Sequence, residues 1–246
     1  MRRILFRAFG RPVYSYAAML YVGIVLGIYA QLYAGRQAGL ESGRLLACTL
    51  ILLVVALAGA RLLFVVCHWN RFREDWTAVL RVERGGAAMY GGLVTAVPLS
   101  PLVTGIFGVP AGTFWDTATF TMVIGMIVTR AGCLLNGCCA GRPSHRWFAV
   151  NLPDDRGVWT RRVPNQLFEA AWGLIVLVAA TQVWAAGLFA GAVMLSAIGT
   201  YGLGRLLMEG LRDVQDRVGG VAVNQAISVV LMTIAVAGFS AAWWWR

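Results

Sequence analysis

The sequence predicts an all-α polytopic membrane protein with about seven transmembrane helices and a small cap between the fourth and fifth. Three observations carry this. First, 59% of the residues are hydrophobic and 13% charged, against roughly 25% charged in a soluble domain. Second, apolar stretches of about 20 residues recur between short loops, which gives roughly six to eight crossings and no separate soluble domain. Residues 1–246 therefore read as a single integral membrane domain. Third, the net charge of +10 comes from arginine alone, since there is no lysine. Arginines scattered among loops and span ends do not form a nucleic-acid-binding module, and they suit anionic lipid head groups.

Each element follows in order. Arg2, Arg3, Arg7 and Arg11 stand between apolar residues, as in a short amphipathic segment on a membrane surface. The apolar run after them is long enough to span rather than to be a cleaved signal. It forms the first span, about Val13 to Ala34, with Tyr14, Tyr16 and Tyr21 near its start, an aromatic-belt pattern. The second, about Leu45 to Cys67, carries Arg61 roughly a turn and a half from its end, equally consistent with snorkelling and with a functional cation. Residues 68–86 form a polar surface connection. The third span opens with Tyr90, Gly91 and Gly92 and closes before Pro110; adjacent glycines permit helix contact or close approach of a ligand. Asp116 starts the fourth span, where a carboxylate complements a helix dipole. The hydrophilic stretch from Arg142 to Pro164 forms the cap, with a small strand expected around Trp147 to Leu152. The fifth span begins at VPNQLFEAAW, with Gln166 and Glu169 on one face. A turn at Trp184 to Gly187 leads to the sixth span, which ends YGLGRLLMEGLRD. The seventh, about Ala222 to Ala242, runs into Trp243, Trp244, Trp245 and Arg246, an interfacial anchor.

Two stretches depart from plain membrane helix. Thr129 to Arg142, TRAGCLLNGCCAGR, places Arg130 at the end of an apolar run, followed by Cys133, Asn136, Cys138 and Cys139. These thiols lack the paired C-x-x-C spacing and neighbouring histidines of a zinc site, so no metal is expected, and five cysteines form no disulfide framework here. Cys48 and Cys67 read as small core residues. In the second stretch Arg205, Glu209 and Arg212 fall at i, i+4 and i+7, one helical face. This is either a self-neutralising pair or an arginine held by its carboxylate to grip an anion. Arg130 and Arg205, with Arg61 as a third, would form an electropositive pocket for a lipid phosphate near one membrane face, and would stabilise charge on a departing phosphate.

PVYSYAAMLYVG, GARLLF, GGAAMYGGL, RAGCLLNGCCAG, VPNQLFE and YGLGRLLMEGLRD occur together in one order, and in that order the chain resembles the prolipoprotein diacylglyceryl transferases. The resemblance implies a multi-pass protein of the bacterial inner membrane that moves diacylglyceryl from phosphatidylglycerol to a lipobox cysteine thiol of preprolipoproteins, with glycerol phosphate leaving and no cofactor. It assigns Arg130 and Arg205 to the phosphate and Glu209 to orienting Arg205. Tyr16 and Asn136 would position the head group, with Arg61, Gly141, Glu169 and Tyr201 completing the binding site. The implied partners are phosphatidylglycerol or another anionic phospholipid, lipobox peptides and membrane lipids. Tyr90 stands where the family has histidine, Cys133 where it has asparagine and Cys138 where it has glutamate, so Cys133, Cys138 and Cys139 mark an altered acceptor side. A divergent acceptor, or lipid binding without catalysis, are the alternative readings. Positive-inside counting puts the amino terminus in the cytoplasm, whereas the resemblance puts the cap on the outer face.

Overall fold

Among the described residues, seven long helices occupy the positions predicted for the spans. The structure, a computed structural model, describes residues 2–8, 10–73, 89–153, 157–212, 217–218 and 221–244. Much of the polar connection predicted over 68–86, part of the cap loop, Trp245 and Arg246 lie outside them, as does the side chain of Tyr90. The helices are α1 (Ser15–Gln37), α2 (Ser42–Cys67), α4 (Met89–Ile106), α5 (Ala111–Asn136), α6 (Asn165–Ala186), α7 (Ala192–Met208) and α8 (Val223–Trp244), with a single turn, α3 (Trp69–Phe72), after α2. Five of them, α1, α2, α5, α6 and α8, are long and apolar enough to cross a membrane. α4 and α7, of 18 and 17 residues, rise about 26 Å at 1.5 Å per residue, a little less than a hydrocarbon core of about 30 Å. Val54, Leu57, Leu102, Val178 and Val236 point outward, as lipid-facing side chains must. The chain forms an all-α polytopic membrane protein.

By contact the chain divides into Met1–Tyr33 with Trp115–Arg246, and Ala34–Phe114. In the smaller unit α2 packs on α4 through glycine. A Cβ on Gly91 would strike the Gly59 carbonyl oxygen and the Leu63 side chain, so helix contact accounts for Gly91. Pro98 and Pro101 lie inside α4. Pro101 cannot donate to the carbonyl of Val97, and the Ser100 hydroxyl donates to it instead at 2.8 Å. Cys48 is buried as predicted, but Cys67 is exposed at the end of α2.

In the larger unit the residues expected to form an amphipathic segment pair as a hairpin, β1 (Ile4–Ala8) against β2 (Arg11–Tyr14). Gly10, at φ +77°, makes the turn. The hairpin caps α1: the Ser15 amide donates to the Arg3 carbonyl at 2.9 Å and its hydroxyl donates to the Arg2 carbonyl. α1 then meets α5 where a Cβ at Gly27 would stand 2.7 Å from the Thr121 Cα. Asp116 does complement a helix dipole, but that of α7. It is buried in α5, and its carboxylate accepts from the Gly191 amide at 2.7 Å and the Met194 amide at 3.0 Å. Asp116→Ala strands both buried donors and should cost about 2 kcal/mol, read as a lower midpoint of thermal unfolding in detergent.

The predicted cap strand is β3 (Val150–Pro153), paired antiparallel with β4 (Trp159–Arg162). The loop entering it is bound on two sides: Gly141 donates to the Val163 carbonyl at 2.9 Å and Arg142 to the Leu211 carbonyl at 3.0 Å. After α7 a 3-10 turn, Glu209–Leu211, and a short hairpin, β5 (Arg217–Val218) with β6 (Val221–Ala222), lead into α8.

Candidate functional site

The end of α5, the start of α6 and the end of α7 meet at Glu169. Arg130 on α5 places Nε 2.6 Å from one carboxylate oxygen, and Arg205 on α7 places Nη1 2.9 Å from the other. The two arginines lie far apart in sequence and share one nearly buried carboxylate. Asn165, one turn before Glu169, donates to it at 2.9 Å, which fixes its rotamer. A cleft beside the clasp is lined by Met126, Arg130, Glu169, Trp172, Tyr201 and Arg205, which brings Tyr201 beside the two arginines.

The sequence assigned the orienting role to Glu209, and here the structure shifts the emphasis. Glu209 is fully buried, but its carboxylate lies 4.0 Å from Arg205 Nη2, farther than Glu169. Asn224 on α8 donates to Glu209 at 3.4 Å. Arg212 does not share the face of Arg205: the α-helix ends at Met208, the chain tightens through the 3-10 turn, and Arg212 becomes extended and bridges to Gly141. Nor do the two arginines form a bare positive pocket, since Arg130, Arg205, Glu169 and Glu209 sum to zero formal charge. Each guanidinium has five N–H donors, so binding one carboxylate leaves donors for a second anion.

The remaining predicted residues divide. Tyr16 stands at the start of α1 beside Arg130 and the cysteines, and its Cα packs against Gly132. Asn136 ends α5, its carbonyl accepting from Arg3 Nε at 3.3 Å. Gly141 has a packing reason for being glycine: a Cβ there would stand 2.5 Å from the Leu211 carbonyl oxygen. Arg61 lies in the smaller unit, its guanidinium over the rings of Phe64 and Phe72 at 5.8 and 5.4 Å. Gln166 is buried and donates to the Cys138 carbonyl at 2.6 Å, so it serves the cysteine loop while Glu169 serves the arginines. Asn165, Asn224 and Trp172 were not foreseen. Asn165 had a signal, its i, i+4 spacing to Glu169; Asn224, on another helix, had none.

Cys133, Cys138 and Cys139 converge, with sulfur atoms all within 4.8 Å of one another. The Cys138 thiol donates to the Cys133 carbonyl at 3.7 Å, which holds the second cysteine over the end of α5.

The fold and the site define a class: a multi-pass helical membrane protein with a carboxylate-bridged arginine pair where three of its helices meet. The chain belongs to the prolipoprotein diacylglyceryl transferase family, whose sequence model matches residues 3–241. It is similar to the phosphatidylglycerol–prolipoprotein diacylglyceryl transferase of Bacillus cereus (strain B4264), 27% identical over 237 residues that cover 92% of this chain and 86% of the relative. It is also similar to the protein of that name from Bacillus anthracis, 28% identical over 242 residues with the same coverage.

Proposed function

We propose that this chain transfers a diacylglyceryl group from phosphatidylglycerol, in the bacterial plasma membrane, to a cysteine thiol of a preprolipoprotein. The observation that carries the reading is the Arg130–Glu169–Arg205 clasp in a chain of this family. The acceptor thiolate attacks the glycerol carbon that bears the phosphate ester. A carbon–sulfur bond forms, the carbon–oxygen bond breaks, and glycerol phosphate leaves with the electron pair. Negative charge grows on the departing oxygen, and fixed guanidinium donors in a partly buried site stabilise it more than they stabilise the bound lipid. Glu169 holds both guanidinium planes before the lipid arrives, which spares the cost of ordering them. Tyr16, Asn136 and Tyr201 would place the head group; Gly141 and Glu209 complete the proposed set in the larger unit.

The test is turnover by the purified protein in detergent or proteoliposomes, with labelled phosphatidylglycerol and a lipobox peptide. Label transferred to the peptide, with release of glycerol phosphate, supports the reading. Saturable lipid binding without product supports a binder, and product on another thiol supports a divergent acceptor. Tyr90 bears on the choice. Tyrosine, with an ordinary pKa of about 10, is a poor base at neutral pH. If acceptor deprotonation limits the rate, Tyr90→His should raise lipobox transfer by about tenfold or more. An unchanged rate would place the limiting step elsewhere.

A further inference from the structure

We propose that Cys133, Cys138 and Cys139 form a three-thiolate site for a soft monovalent metal cation of the Cu(I) type. A metal–sulfur distance of about 2.3 Å requires sulfur atoms about 4 Å apart around a three-coordinate ion. The three sulfurs already lie within 4.8 Å of one another, so small rotamer adjustments close the site.

The backbone is arranged to bring them there. Cys133 sits in the last turn of α5. Gly137, at φ +76°, reverses the chain, and its amide and that of Cys138 both donate to the Cys133 carbonyl, at 3.0 and 3.1 Å. Cys139 then takes φ +63°, alone among the described non-glycine residues in the left-handed region. That conformation costs about 1 kcal/mol or more for a side chain with a Cβ, and it folds the second and third thiols back over the helix end. Gln166 anchors the loop through the Cys138 carbonyl.

The donor set decides the ion. Three sulfurs with no histidine or carboxylate among them select soft cations over hard ones. Zinc in a closed site takes four ligands, and the described cluster supplies three. A Cu(I) trithiolate carries two negative charges, and Arg130 stands close enough to offset part of them. Cys133 is buried, Cys138 half-buried and Cys139 exposed, so the ion would enter from the Cys139 side, and the thiol protons would leave to solvent as it binds. Spacing along the chain does not reveal this site, because the turn after α5 creates it. The site stands independently of the transferase reading.

The test uses the full chain, reduced and anaerobic in detergent, titrated with Cu(I) against a colorimetric Cu(I) chelator and, separately, with Zn(II). One tight equivalent of Cu(I) per chain is expected. Each of Cys133→Ser, Cys138→Ser and Cys139→Ser should weaken it by more than the roughly 10- to 100-fold that outer-shell changes cost, while Cys48→Ser and Cys67→Ser leave it unchanged. A second measurement needs no variant: Cu(I) should protect Cys138 and Cys139 of the parent protein from maleimide while the exposed Cys67 still reacts. Absence of a stoichiometric site, retention of copper by the triple serine variant, tighter zinc than copper, or no protection of Cys138 and Cys139 would each overturn the assignment.

Discussion

Arg130→Lys and Arg205→Lys should each lower kcat/KM for diacylglyceryl transfer by about 100-fold, nearly as much as the alanine variants. Lysine preserves the charge but not the planar fork. One guanidinium can bind Glu169 and a phosphate oxygen at once in fixed directions, whereas an ammonium is a strongly hydrated point charge. Loss of one preorganised donor to a developing oxyanion costs roughly 100- to 1000-fold. Because this interaction strengthens as the leaving oxygen gains charge, the loss should appear mainly in kcat, with phosphatidylglycerol affinity falling less. Lysine variants with full turnover would show that charge alone suffices and that the clasp does not act as a clamp.

Glu169→Gln should produce the largest loss of stability, about 3 kcal/mol. The side chains of Arg130, Arg205 and Glu169 are 25%, 14% and 9% exposed, so removing the carboxylate's charge leaves one net positive charge uncompensated in a largely buried cluster. Arg130→Gln added to Glu169→Gln removes the uncompensated charge, so the double variant should unfold at a higher temperature than Glu169→Gln alone. A Glu169→Gln protein with unchanged melting, or a double variant no better than the single, would show that the bridge contributes little. Glu209→Gln distinguishes the two carboxylates. At 4.0 Å from Arg205 it should disturb the site less than Glu169→Gln.

Much of the fold was legible because its cause is local. Apolar runs of spanning length, punctuated by arginine and glycine, place seven helices along the chain whatever their neighbours. The same patterns were incomplete where a local signal allowed more than one structure. Arginines set among apolar residues over the first dozen positions mark an amphipathic segment without fixing its backbone; the Gly10 turn and the seat on Ser15 select the hairpin. Asp116 announced a helix start, but the start it caps belongs to α7, 75 residues farther along the chain.

The candidate site shows the same division. The sequence by itself determined a membrane protein rich in arginine, with Arg130, Glu169, Arg205 and Glu209 at the ends of its apolar runs. It also determined a cysteine cluster just beyond one of them, because charge, hydropathy and chain spacing are properties of the residues themselves. Only the tertiary structure decided which carboxylate holds which arginine. Sequence spacing favoured the i, i+4 partner Glu209, but packing of α6 between the ends of α5 and α7 brings Glu169 closer to both guanidinium groups, and Coulomb attraction depends on distance in space. It also decided that three thiols without a metal-binding spacing come within 4.8 Å of one another, because a helix end and two left-handed residues turn the chain back on itself.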